Sequence, residues 1–598
     1  MPPADSAPRL AHIRQAFDPL AGPPPHGPAE EEARSGRIYV CGATAHAAAG
    51  LQPPAHHHRH ASASATAAHP PLRTPHLLTT LLDQQVVQAS CGWRHSALVL
   101  DSGDVYMSGD NSHGQLGLGL SAEAEEAMRA GRPFEPPHAP APAKLPLLGR
   151  FRVSQVSCGK LHSAFVCHDG ELFAMGLNVY GQLGLGSLED VYAPRQVERI
   201  GGAAASVSCG DFHTLVLRHD GRALSCGLND SGRLGRPVDG ATAAGGAAEV
   251  EGAAGESGDA AAAAAAAPCS DTFGALPLHA AVASQSDAFA VVAVAAGGAH
   301  TAVVCADGSV YTCGRGECGQ LGHGAEPADL VALQPRRIAA LKQHRIRRAA
   351  LGQVHSLFLT SLGTPFACGS GGYGRLGLGA RANCYAPQMV ESLGGEAVVQ
   401  ISAGERHSSF VTEGGAVFLC GDDGEGALGL DGPRKTSLVP ARPRKFDRPG
   451  TRVLGASCGG AHTAFLLRAV VDIKEDYRED QLEVAAATIE AFFRGNHVRV
   501  YSEAVQKRKR NGRADHMHTL AQRDAAACVI QSAARMHLAE NLRHRKAQIR
   551  RMRELRGDEG GDDPDAWGKI QRQFTAAVAG RALTAEAERA AYLTKASW

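Results

Sequence analysis

Seven histidines are the residues of this chain best placed to do chemistry: His95, His162, His213, His300, His355, His407 and His462 each stand three places after a glycine. An imidazole can move protons near neutral pH or ligate a metal. Catalysis assigns different roles to different groups, whereas here one residue recurs in one context seven times. We therefore read all seven as structural, each ring hydrogen-bonded to strand or turn backbone inside its own repeat, and expect no catalytic residue, no cofactor and no metal site. The cluster His56-His57-His58-Arg59-His60 lacks a second ligand group at fixed spacing and reads as a polar run among prolines and alanines. Most of the 15 cysteines precede a glycine at equivalent repeat positions, as Cys91, Cys158, Cys209 and Cys458 do, and none forms a Cys-x-x-Cys pair. They are expected to be reduced thiols filling small core spaces.

The elements that must position these residues follow from the periodicity around them. Ser96-Ala97-Leu98-Val99-Leu100 and Thr214-Leu215-Val216-Leu217 lie within runs of strand length. Asp169-Gly170, Asp220-Gly221 and Asp307-Gly308 then supply tight hairpins into second strands such as Ser309-Val310-Tyr311-Thr312-Cys313. The histidines recur every fifty to fifty-five residues wherever no insertion intervenes. That is the length of a four-stranded unit too small to bury its own apolar face, and such units repeated radially form a β-propeller.

Each histidine strand except the last leads to an aromatic or small residue before a glycine, then to a Gly-x-Leu-Gly turn. The turns are Gly114-Gln115-Leu116-Gly117, Gly181-Gln182-Leu183-Gly184, Gly232-Arg233-Leu234-Gly235, Gly319-Gln320-Leu321-Gly322, Gly374-Arg375-Leu376-Gly377 and Gly426-Ala427-Leu428-Gly429. This order resembles the repeat of the regulator of chromosome condensation family, over about residues 37–468. The resemblance implies an all-β, seven-bladed propeller. A half-repeat at the front, Ile38-Tyr39-Val40-Cys41-Gly42, has no histidine strand before it, and the last histidine strand, at His462, has no turn after it. The two halves complete one blade, so the ring is expected to close by pairing its ends.

Three domains result: an N-terminal segment 1–36 read as disordered, the propeller 37–468, and a helical basic tail 469–598. Stretches near 52–76, 120–145 and 237–287 break the repeat and read as low-complexity loops. Net formal charge is zero, which argues against nucleic-acid binding, and the longest apolar run, 288–296, is strand-sized rather than membrane-spanning. The N-terminus shows no signal-sequence pattern, so a cytoplasmic address, cytoskeletal or ciliary, or else a nuclear one, is expected.

After Arg468 the glycine turns stop. Residues 494–556 hold sixteen Lys or Arg against five Asp or Glu. At the N-terminal edge of this region Ile489, Phe493, Arg494, Gly495 and Arg499 resemble the calmodulin-binding IQ motif, with Glu490 where that motif has Gln. A second copy, Ile530, Gln531 and Arg535, has Met536 for the glycine and Glu540 for the second base. Ile489 and Phe493 are one helical turn apart, giving an apolar stripe flanked by bases for an acidic partner. Calmodulin or a related EF-hand light chain is the expected tail partner.

The function expected is a non-enzymatic scaffold: a propeller face binds an unidentified protein and the tail recruits calmodulin. The alternative implied by the family is guanine-nucleotide exchange on a Ran-like small GTPase, for which Asp110, Asp211, Asp230, Asp422 and Asp423 are the candidate acids, each also a natural turn former. Residues 1–36 carry three arginines, Arg9, Arg14 and Arg34, against five acids, which counts against a chromatin-docking arm. Trp93 stands alone among the tryptophans between 37 and 468, so the clustered-tryptophan light sensing of the family's plant photoreceptor is set aside.

Overall fold

The runs of strand length become strands, and the glycine turns join them into seven antiparallel four-stranded sheets. The structure is a computed structural model and describes residues 36–43, 72–81, 84–130, 138–145, 151–238, 268–277, 290–324, 330–430, 435–447 and 450–468. The tail motifs at Ile489–Arg499 and Ile530–Arg535 lie outside the described residues. With strands numbered in chain order, blade 1 consists of β3 (Val86–Cys91), β4 (His95–Leu100), β5 (Val105–Gly109) and β6 (Ala139–Lys144). Blades 2 to 6 follow the same meander, opening with β7 (Val153–Cys158), β11 (Ala204–Cys209), β15 (Val291–Ala296), β19 (Ile346–Leu351) and β23 (Val398–Ala403).

The seventh blade closes the ring. Its sheet runs β2 (Leu72–Leu77), β1 (Gly36–Gly42), β28 (His462–Arg468), β27 (Arg452–Cys458). Register is continuous from Gly36 opposite Arg468 to Gly42 opposite His462. Strand β1, the first among the described residues, therefore supplies hydrogen bonds that β28 would otherwise leave open to solvent.

Sheets pack face to face through the residue three places after each histidine. Phe165, Phe358, Phe410 and Phe465 are among the largest fully buried side chains, each worth about 1.5–3 kcal/mol in apolar burial. Opening strands of successive blades touch one another in a closed cycle, so they lie innermost. Side chains stitch them: Gln88 makes a two-way bridge to the Val156 backbone at 3.0 and 2.9 Å, Gln155 does the same to Val207, and Gln400 accepts from the Ala456 N–H. Ser90, Ser157, Ser208, Ser402 and Ser457 each accept a backbone N–H from the next blade. Strand β15 has Ala293 and Ala295 at these two positions and cannot make either bridge to β19.

The insertion readings need correction. Range 52–76 runs into β2, range 120–145 contains both an exposed helix α1 (Ala122–Arg129) and β6, and range 237–287 contains β14 (Cys269–Ala275). Each is an outermost strand, where half-exposed side chains and prolines such as Pro75 and Pro142 erase the apolar alternation. Those prolines have a place in the packing. A Cβ on Gly429 would stand 2.9 Å from Pro75 Cγ, and one on Gly377 would stand 3.0 Å from Pro440 Cδ, so the turn of one blade seats against the outer-strand proline of the next.

Candidate functional site

The Gly-x-x-His strands build a ring around one mouth of the central channel. Each histidine follows a strand end at which the glycine N–H bonds back to the histidine carbonyl, as Gly159 does to His162 at 2.9 Å. The imidazole folds over its own glycine. A Cβ on Gly159 would lie 2.6 Å from His162 Cε1 and 2.5 Å from the Gly210 carbonyl oxygen of the next blade. The glycine is thus required for space, which explains the pairing of the two residue types.

Where the histidines bond differs from the sequence-based expectation. The partner is a side-chain hydroxyl of the following blade, not backbone of the same one. His95 meets Ser163, His162 Thr214, His213 Thr301, His300 Ser356, His355 Ser408, His407 Thr463 and His462 Ser96, all at 2.8–3.0 Å from Nε2. Six of these hydroxyls donate to a turn carbonyl of the preceding blade, for example Thr214 to Gln182 at 2.6 Å and Thr463 to Ala427 at 2.6 Å. An oxygen that gives its hydrogen to a carbonyl accepts from the ring, so Nε2 carries a proton at these six histidines. Burial, the largest cause in each case, pushes His95 and His407 down to about 4 and His162, His300 and His462 down to about 3. Parallel to this runs a closed circle of seven backbone bonds between blades, from Trp93 N–H to Gly159 O round to Gly460 N–H to Gly92 O, at 3.0–3.3 Å. The ring is a clasp between blades: Nε2 is spent on the next blade's hydroxyl, and Nδ1, unpartnered at His95, His162, His213, His300 and His355, is buried against the glycine of its own loop.

On top of this ring, variable residues from the Gly-x-x-His loops of blades 1, 2, 3 and 6, joined by Tyr373, form a belt, which motif reading alone did not find. Trp93 reaches across the closing blade to Glu405, Nε1 donating to Oε2 at 3.2 Å. The indole passes over Gly460, where a Cβ would stand 2.6 Å from Trp93 Cδ1. Arg94 stacks on Trp93 at 4.0 Å, and Lys160 lies between Trp93 and Phe212 at 5.3 and 5.1 Å. Beyond Glu405, Arg406 pairs with that carboxylate at 3.2 Å and covers the Tyr373 ring at 5.3 Å. Tyr373 holds a φ of 61°, the one positive φ on a non-glycine residue among the described residues. A bulky side chain in that region stores strain, and such strain gathers at binding and catalytic sites. The repetition of Trp-Arg, Lys-Leu, Asp-Phe and Glu-Arg between glycine and histidine was the available signal.

The acids considered for nucleotide exchange are engaged elsewhere. Asp110 accepts from the Ser112 N–H at 3.0 Å, Asp422 from the Gly424 N–H at 3.0 Å and Asp423 from the Leu428 N–H at 2.9 Å, while Asp230 pairs with Arg233. Asp211, in the same loop as Phe212, sits 4.0 Å from Lys160. Among the described residues the cysteines are free thiols, no group of three or more His, Cys, Asp or Glu is arranged to hold a metal, and no helix is long and apolar enough to cross a membrane.

Seven sheets, a histidine clasp and Gly-x-Leu-Gly turns define a seven-bladed propeller built from regulator of chromosome condensation (RCC1) repeats. Family models of that repeat match residues 102–166, 169–217, 307–359, 363–411 and 414–466, and a second such model matches 86–115, 153–182, 204–233 and 291–320; the chain belongs to this family. It is 29% identical over 367 residues to the human E3 ubiquitin-protein ligase HERC2, covering 60% of this chain but 6% of that protein. To the Arabidopsis thaliana ultraviolet-B receptor UVR8 it is 29% identical over 359 residues, 60% of this chain and 70% of the receptor. Human WBSCR16 superposes with a TM-score of 0.56 at 24% identity, covering 73% of this chain and 100% of that one. Yeast Prp20p, studied for its binding to Gsp1p and histones, gives 0.56 at 19% identity over 75% of this chain and 95% of its own. These last two likenesses establish the fold.

Proposed function

We propose that the protein is a non-enzymatic interaction scaffold whose channel-mouth belt engages a folded protein partner. The observation that carries this reading is the gathering of Trp93, Phe212 and Tyr373 with Arg94, Lys160 and Arg406 on one face. Trp, Tyr and Arg are the types that dominate binding energy at protein interfaces. The full chain is used as bait from cell extract beside a Trp93→Ala/Arg406→Ala variant and a Leu362→Ala variant. Leu362 is 88% exposed in a hairpin at the opposite end of its blade. A partner lost with the belt variant and kept with Leu362→Ala supports the reading; a partner retained by both variants removes it.

The tail reading belongs to the same proposal. Calmodulin recruitment rests on Ile489, Phe493, Arg494, Gly495 and Arg499, and more weakly on Ile530, Gln531 and Arg535. Calorimetry with the full chain and its Ile489→Ala variant tests it, equal heats overturning the assignment. The alternative, exchange on a Ran-like GTPase, rests on the family resemblance. Release of fluorescent GDP at substoichiometric propeller would replace the scaffold reading with that one.

A further inference from the structure

The six Gly-x-Leu-Gly turns are near copies, and one of them carries an ionisable side chain at its key position. Three residues before the first glycine stand Asn111, Asn178, Asn229, Gly316, Gly371 and Asp423. In blades 1 to 3 the asparagine oxygen accepts the N–H of the turn leucine: Leu116 at 2.8 Å, Leu183 at 3.0 Å and Leu234 at 3.0 Å. The amide nitrogen completes the turn from the other side, Asn178 donating to Ser187 O at 2.8 Å and Asn229 to Arg236 O at 3.1 Å. Asp423 keeps the acceptor half, taking the Leu428 N–H at 2.9 Å through Oδ1. An ionised carboxylate has no hydrogen for the donor half, and a protonated carboxyl does.

This turn is the one on which the closing blade sits. Arg73 of β2 donates to Gly424 O at 3.2 Å, and a Cβ on Gly426 would stand 2.5 Å from Leu72 O. The Ala427 carbonyl takes the Thr463 hydroxyl of β28 at 2.6 Å and the Cys41 thiol of β1 at 3.3 Å. We propose that Asp423 is a proton-operated latch on the seam between blade 6 and the closing blade, its neutral carboxyl completing the turn and its carboxylate loosening it. Asp423 is 3% exposed. The charged and titratable groups around it are Arg73 from β2, Asp422 beside it, the Cys41 thiol of β1 and Lys435, whose carbonyl takes the Asp423 N–H at 2.7 Å. Burial, outweighing the Leu428 N–H and Arg73, pushes its carboxyl up to about 6 from 3.8.

A carboxyl with a higher pKa folded than unfolded weakens the fold above its folded pKa, and that weakening fades as pH falls towards the unfolded value. The isosteric Asp423→Asn variant supplies the donor at every pH. Its advantage over the parent in the folding equilibrium constant is largest at pH 7.5 and shrinks by about tenfold by pH 5. Other titrating groups cancel in that difference. Amide exchange on the full chain reads the seam directly: protection in β2 and at Leu428 should be higher in the variant at pH 7.5, and the difference should narrow about tenfold by pH 5. Infrared titration of the parent checks the group itself, a protonated-carboxyl band growing in near pH 6 and absent from the variant. Equal protection at pH 7.5, or an unchanged carboxyl band, overturns the latch.

Discussion

Placing a methyl group on Gly159 tests the clasp at its most crowded point. The backbone there has no need of a left-handed glycine, so the whole effect comes from space. The new Cβ would meet the Gly210 carbonyl oxygen at 2.5 Å and the His162 ring at 2.6 Å. Relief requires that the loop withdraw from blade 3, which lengthens the Lys160 N–H to Gly210 bond of 3.3 Å, and that the ring swing off Thr214, which lies 2.9 Å away. Two hydrogen bonds at about 1 kcal/mol each, with overpacking of about 1–3 kcal/mol, give a loss of about 3–5 kcal/mol. Gly395→Ala is the matched control. Nothing lies within 4 Å of its Cβ position, and removing backbone freedom there should leave stability unchanged or raise it by up to about 1 kcal/mol. Urea unfolding followed by far-ultraviolet circular dichroism measures both. Indistinguishable midpoints for the two variants would refute the claim that the glycine and histidine form one interlocked unit.

Further expectations concern the seams and the protons. Deleting residues 36–42 removes the strand paired along the whole of β28 and should lower the unfolding midpoint of the entire ring; an unchanged midpoint contradicts closure through β1. Installing the missing stitches with Ala293→Gln and Ala295→Ser should strengthen the β15 to β19 seam by about 0.5–1.5 kcal/mol per bond made, seen as slower amide exchange at Leu351; no change there would show that the seam is already saturated. The clasp histidines are held neutral when folded and titrate near 6.5 when unfolded, so their support is complete above 6.5 and is lost as pH falls towards 4 for His95 and His407. A urea midpoint flat between pH 7 and pH 5 would be inconsistent with that burial.

Much of the architecture was legible in the chain because a repeat states its structure several times over. Strand period, hairpin pairs and the Gly-x-x-His and Gly-x-Leu-Gly spacings are local properties, fixed by backbone geometry within a few residues. The closing of the ring by its ends also followed, since an orphan half-blade at each terminus has one complement. The outer strands β2, β6 and β14 escaped because a half-exposed edge places little apolar pattern in the sequence.

Contacts between blades were decided by the tertiary structure alone. Each histidine is chemically the same from the sequence whether it bonds its own blade or the next; only the sheet-to-sheet approach brings His95 to Ser163 and His462 to Ser96, 366 residues away in the chain. The belt arises the same way, because Trp93 and Glu405 are 312 residues apart and meet where ring closure folds their loops over Gly460. Asp423 reads as an ordinary turn former in sequence, and only burial in the folded ring, outweighing the nearby Arg73 of β2, pushes its carboxyl up. Local patterning set the blade, and the free energy of closing seven blades on one axis set what each side chain would touch.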